Sequence, residues 1–152
     1  MNIVNIWKIA FPITVTSAFA AASALLTDTL SEWYLSLVKP AIQPPPVVFS
    51  VVWSVLYVLF AASFALVLLK NDGKGSFVYL LNLFLQALWC VVFFKSRSIG
   101  GALVLLIVIF ICAVYLAAFA YKKNLAAGIL ITPYVIWCAY ALAVNYAVAL
   151  LN

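Results

Sequence analysis

Asn82 and Gln86 stand four residues apart inside an apolar run, so a helix places both amides on one face. Trp89, Cys90 and Phe93 continue that face at spacings of three and four. Trp137, Ala141 and Asn145 align in the same way at spacings of four. Trp53 falls about seven residues into another apolar run and Trp137 about eleven into its own. Both are deeper than the interfacial belt that tryptophan favours, whereas Trp7 fits that belt. An amide in hydrocarbon needs a partner, on a neighbouring helix or on a ligand. Flat indole and phenyl faces suit a large planar or polycyclic ligand. Interhelical packing and the lining of a cavity both satisfy these patterns, and residue spacing alone leaves both open.

The same runs exclude other chemistry. No Asp, Glu, Lys, Arg or His lies in the middle of any of them. Carriers and pumps that move or relay charge place ionisable groups there, so a charge-driven transporter is not expected. Histidine is absent from the chain, which rules out a histidine-ligated haem or metal site. Nucleophilic triads and paired intramembrane carboxylates are also missing, so no catalytic and no metal-ligating residues are assigned. Cys90, Cys112 and Cys138 lie within apolar stretches without metal-ligand spacing and read as small buried hydrophobes.

These side chains must be positioned by elements that live in lipid. Of 152 residues, 70% are hydrophobic and 7% charged, against roughly 25% charged in ordinary soluble domains. Eleven charged side chains cannot cover the surface of a soluble protein of this size. The eight Lys/Arg against three Asp/Glu sit in ones and twos between apolar runs. They form no clustered basic face, so nucleic acid is not a partner. The chain reads as an integral, multi-pass membrane protein with the bilayer as its solvent.

Five apolar runs, at about 5–26, 46–69, 77–95, 99–121 and 126–151, are each long enough to cross the hydrocarbon core as a helix. Breaks at 27–45, 70–75, 95–98 and 122–124 combine charge with turn formers. Barrel strands would alternate apolar and polar residues, and these runs are apolar on every face. The expected fold is therefore all-α, a single five-helix membrane domain over 1–152. The first run is expected to be a retained helix, kinked at Pro12, and not a signal peptide. Lys8, Lys70, Lys74, Lys122 and Lys123 fall on the N-terminal side, against Lys39, Lys95 and Arg97 opposite. That count favours the N-terminus inside.

The first connector, 27–45, is the longest. It carries Asp28, Glu32, Trp33, Tyr34 and Lys39, with Pro40, Pro44 and Pro45 running into Pro46. Proline fixes φ, so Gln43 to Pro46 makes a stiff, extended approach to the second span. A stiff aromatic loop beside a membrane domain serves as a spacer or as a lid over a cavity.

Three segments resemble the translocator protein family, also called tryptophan-rich sensory proteins (TspO/MBR). The family signature W-Y-x-x-L-x-K-P-x-W-x-P-P, then V-W-[ST]-x-L-Y, is matched by Trp33-Tyr34 through Leu37, Lys39-Pro40 and Pro44-Pro45, then Val52-Trp53-Ser54 and Leu56-Tyr57. N-x-x-W-S-x-x-F-F is matched by Gln86, Trp89, Cys90 and Phe93-Phe94. P-Y-x-x-W-x-x-[FY]-A-x-x-[LV]-N is matched by Pro133-Tyr134, Trp137, Tyr140-Ala141, Val144 and Asn145. Ile42 replaces the second tryptophan of the first signature, the family's Gln/Asn amide pair is swapped to Asn82/Gln86, and Cys90 replaces a serine. No Lys or Arg follows Tyr146, so the cholesterol motif of animal members has no counterpart.

The resemblance implies a five-helix bundle, a homodimer, whose intramembrane pocket binds porphyrins such as protoporphyrin IX and other hydrophobic ligands. No cofactor is required. Carried over by position, the pocket involves Tyr34, Pro44, Trp53, Asn82, Gln86, Trp89, Cys90, Phe93, Trp137 and Ala141, with loop 27–45 as its lid. The resemblance also leaves open a tetrapyrrole transporter and a light-dependent, tryptophan-reliant porphyrin-degrading protein.

Overall fold

The computed structural model describes residues 3–70 and 73–152. Five long helices appear: α1 (Ile3–Leu26), α3 (Pro46–Leu69), α4 (Gly73–Cys90), α5 (Ile99–Lys123) and α6 (Leu125–Leu151). A short α2 (Glu32–Ser36) lies within the first connector, and α4 runs on as a π-helical turn, Val91–Lys95. All five long elements are long and apolar enough to cross a membrane. The spans expected from the sequence are thus found, with α4 starting four residues earlier than the apolar run. Of the expected break at 70–75, Asn71 and Asp72 lie outside the described residues. α1 continues as a helix through Pro12.

The helices close a ring. α1 packs on α3, α3 on α6, α6 on α5, α5 on α4, and α4 back on α1. α3 leans inward to touch α4 and α5 as well, and it is the most buried span while α1 is the least. Lipid is as apolar as leucine, so burial alone does not hold such a ring together; close packing and interhelical hydrogen bonds must. The core supplies both. Phe64 and Tyr79 stack at 4.5 Å and 3°, Phe60 meets Tyr79 and Tyr134 edge-on, and all four are at most 2% exposed.

Short caps fix the turns. Asn124 alone joins α5 to α6: its N–H donates to the Ala120 carbonyl and its side chain accepts from the Ala127 N–H at 3.2 Å. So short a link holds α5 and α6 antiparallel. Gly128 permits the contact, because a Cβ there would stand 2.3 Å from the Tyr121 ring. At the opposite end Ser98 caps α5, and Arg97 turns the chain with φ 53°, a left-handed conformation uncommon outside glycine.

The π turn has a consequence for the interior. The Ser96 N–H reaches back five residues to the Val91 carbonyl at 2.9 Å. In an α-helix neighbouring side chains diverge by about 100°. Here Phe93 and Phe94 are both buried, in the kind of helical irregularity that recurs at functional sites.

Candidate functional site

The end of the bundle that carries the first connector gathers the sequence-predicted residues into two aromatic groups. In the first, Phe49 bridges the deep tryptophans, with ring centroids 6.3 Å from Trp53 and 5.6 Å from Trp137. Trp53 also meets Tyr57 at 5.7 Å and Tyr134 at 6.5 Å, joining α3 to α6. In the second, Trp89 stacks on Phe93 at 4.9 Å and 11°. Above them α2 lays Trp33 against Phe93 at 5.4 Å and Tyr34 against Phe94 at 5.6 Å. Cys90 is buried in this group. Trp89 also packs against the main buried core of the bundle. Ala141 is half-buried against the main core, and Pro44 is half-buried in the connector.

α2 forms because Ser31 caps it, accepting from the Tyr34 N–H at 3.4 Å, and because its two aromatics find the phenylalanines of the π turn. The connector is thereby docked on the bundle. Within it, Gln43 donates to the Tyr34 hydroxyl at 2.8 Å. Lys39 donates to the Tyr34 carbonyl at 3.1 Å and sits 4.7 Å above its ring. Burial pushes the Tyr34 hydroxyl above its ordinary pKa of 10.0, partly offset by the Gln43 bond.

The amides divide. Asn82 is fully buried and engaged: Nδ2 donates to the Val78 carbonyl at 3.0 Å and towards that of Cys112 at 3.5 Å, while Oδ1 accepts from the Tyr134 hydroxyl at 3.4 Å. Gln86 donates through Nε2 to the same hydroxyl at 3.0 Å. Tyr134 thus ties both amides of α4 to α6. Among the described residues, however, Gln86 Oε1 is buried without a partner, as are the indole Nε1 atoms of Trp89 and Trp137 and Oδ1 of Asn145. Gln86 and Trp89 occupy adjoining turns of α4, and Trp137 and Asn145 share a face of α6. An unpaired buried polar group costs about 1–3 kcal/mol, and more where water is absent. Two donors and two acceptors are therefore left open on α4 and α6.

Two grooves lie elsewhere, at helix–helix seams. One of about 350 Å³ between α4 and α5 is lined by Phe77, Leu81, Asn82, Ile111, Cys112 and Tyr115, among others. One of about 460 Å³ between α5 and α6 is lined by Leu103, Ile107, Ala139 and Tyr146, among others. Of the sequence-predicted site residues only Asn82 borders either. Spacing alone missed Phe49, four residues before Trp53, and gave no role to Trp33. It also did not single out Tyr134, three residues before Trp137, as the shared partner of both amides.

The TspO/MBR family model matches residues 9–151. The chain is 35% identical over 85 residues to a tryptophan-rich sensory protein of Cereibacter sphaeroides, covering 55% of this chain and 52% of that one. It is 30% identical over 100 residues to the tryptophan-rich protein TspO of Chlorobaculum tepidum, covering 62% and 63%. It is 31% identical over 94 residues to protein CrtK of Rhodobacter capsulatus, covering 59% and 58%. The matched stretch thus spans between half and two thirds of each relative.

Proposed function

This chain belongs to the TspO/MBR family of integral, multi-pass membrane proteins, and on that premise we propose that it binds tetrapyrroles of the protoporphyrin IX kind between α3, α4 and α6. The observation that carries the proposal is the four buried groups of α4 and α6 without a partner among the described residues, Gln86 Oε1, Trp89 Nε1, Trp137 Nε1 and Asn145 Oδ1, beside a wall of indole and phenyl faces. An apolar plate with pyrrole N–H donors and carboxyl acceptors offers those groups partners. It also offers the rings the offset stacking they favour. Tyr34 and the connector roof the same end. The homodimer implied by the resemblance belongs to this proposal, and light scattering of the detergent-solubilised protein reads it.

Titrating protoporphyrin IX into the protein in lipid nanodiscs tests the reading through tryptophan fluorescence. Saturable quenching with one ligand per chain is the expected result. Quenching that rises linearly, as from partition into lipid, overturns it. The absence of Asp, Glu, Lys, Arg and His from the middle of the spans favours a binder over a charge-driven carrier. Saturable flux in proteoliposomes would reverse that preference.

A further inference from the structure

The connector is fastened to α6 at two points by side chains that grip its backbone. At the end of α6 the Asn152 amide closes a two-bond ring with Val38: the Val38 N–H donates to Oδ1 at 2.9 Å, and Nδ2 donates to the Val38 carbonyl at 3.1 Å. Nδ2 also donates to the Val148 carbonyl at 2.9 Å, which holds the amide in plane on its own helix. Twelve residues earlier, the Tyr140 hydroxyl donates to the Ile42 carbonyl. The second grip falls within a closed turn, the Gln43 N–H donating to the Pro40 carbonyl at 2.9 Å. The part of the connector on the far side of α2 bonds instead to α1, where the Thr27 N–H donates to the Ser23 carbonyl at 3.0 Å. One half of the roof is therefore continuous with α1, and the other half is attached to α6 by groups that can let go without unfolding a helix.

We propose that Asn152 and Tyr140 form a latch that sets how fast the connector opens, and so how fast ligand exchanges with the site. The inference rests on the ligand reading above. Asn152 is an exposed residue with no ring contact to the aromatic groups, so it governs the barrier and not the bound state. Tyr140 differs, because its ring also packs on Trp137 at 5.1 Å; Tyr140→Phe keeps that ring and removes only the hydroxyl. Both grips take hold of main chain, so the latch is indifferent to the loop's side chains.

Stopped-flow quenching by protoporphyrin IX, with the full chain in nanodiscs, reads the latch. For Asn152→Ala the association and dissociation rates should rise together, about five- to tenfold, with Kd within twofold of wild type. Asn152→Asp keeps the acceptor for the Val38 N–H but loses the donor, and should fall between. Tyr140→Phe should speed both rates about two- to threefold. Unchanged rates overturn the latch. A rise in dissociation alone, with Kd weakened in step, also overturns it, because Asn152 would then stabilise the bound state. Amide hydrogen exchange over residues 33–42 supplies a reading independent of ligand: Asn152→Ala should exchange at least fivefold faster there, and equal protection overturns the latch. If wild type fails to bind protoporphyrin IX while this exchange arm succeeds, the ligand reading falls and the latch stands.

Discussion

The two ends of the bundle use the same kinds of residue in opposite ways. Away from the connector, polar side chains meet each other. The Ser63 hydroxyl lies 2.6 Å from that of Tyr79 and donates to the Ala127 carbonyl at 2.8 Å, and Tyr121 pairs with Thr132 at 2.8 Å. Aromatic rings there are stacked and sealed, as Phe64 is on Tyr79. Towards the connector, among the described residues, Ser23 Oγ, Gln86 Oε1, Asn145 Oδ1 and the Nε1 atoms of Trp89 and Trp137 are buried without a partner, and the three tryptophans are only partly buried. A membrane protein gains little from burying apolar surface against itself, so paired polar groups mark where the ring is held. Open ones mark where stability has been left for something else to supply.

The largest effect that separates the ends is therefore on stability. Tyr79→Ala removes a ring 0% exposed, its stack on Phe64 and the bond to Ser63. It should destabilise by about 3–5 kcal/mol, the usual cost of truncating a buried aromatic. Thermal unfolding in detergent measures it. A loss under about 1 kcal/mol would mean this end does not hold the ring together.

A matched pair of substitutions sharpens the contrast. Ser63→Ala leaves the Tyr79 hydroxyl unpaired and should cost about 1–2 kcal/mol. Gln86→Leu removes an acceptor without a partner together with the bond that Nε2 donates to Tyr134, whose hydroxyl still donates to Asn82. Its cost should stay below about 0.5 kcal/mol, because the desolvation penalty of the deleted acceptor offsets the bond lost to Tyr134. The same variant should weaken protoporphyrin IX binding several-fold. Equal destabilisation by the two substitutions would erase the distinction between the ends.

Next comes binding. Trp53→Phe and Trp137→Phe keep each helix and most of the volume but shorten the ring system. Each should weaken protoporphyrin IX roughly three- to tenfold, where tenfold is about 1.4 kcal/mol, with the thermal midpoint nearly unchanged. Trp7→Phe changes a residue 54% exposed on α1 and serves as the control. If all three variants bind and quench alike, the aromatic end is not the site.

How much of this was legible beforehand follows from the range of the interactions involved. Run length and turn punctuation are local, so the five spans were readable to within a few residues. α2 was not, because five residues of helix depend on the Ser31 cap and on docking Trp33 and Tyr34 against Phe93 and Phe94. The π turn after Cys90 was equally hidden, since an apolar run carries no mark of an i to i−5 bond. Periodicity put Asn82 and Gln86 on one face. Only the fold reveals that the Tyr134 hydroxyl accepts from Gln86 and donates to Asn82, leaving Gln86 half open. The pairing of Trp53 with Trp137 likewise needed Phe49, whose role depends on α3 and α6 being neighbours.

The smallest expected effect is on pH dependence, and it contrasts an aromatic-amide site with one that uses charge. Histidine is absent and the three carboxylates, Asp28, Glu32 and Asp72, lie outside the spans. No group at the site thus has an ordinary pKa between about 6 and 8. The titratable group of the roof is Tyr34, raised above 10.0 by burial. A group raised in the folded state lends stability that is whole below its unfolded pKa and is lost as pH climbs through the raised value. The roof contact should hold unchanged across the neutral range and weaken only above pH 10. Once the ligand's own titration is subtracted, protoporphyrin IX affinity should vary less than about twofold from pH 6 to 8, under roughly 0.4 kcal/mol. Amide exchange over residues 33–42 should be equally flat after correction for intrinsic rates. A tenfold change in affinity within that window would mean that a connector carboxylate takes part in binding. The ligand would then be gripped by charge at the roof as well as by rings and amides beneath it.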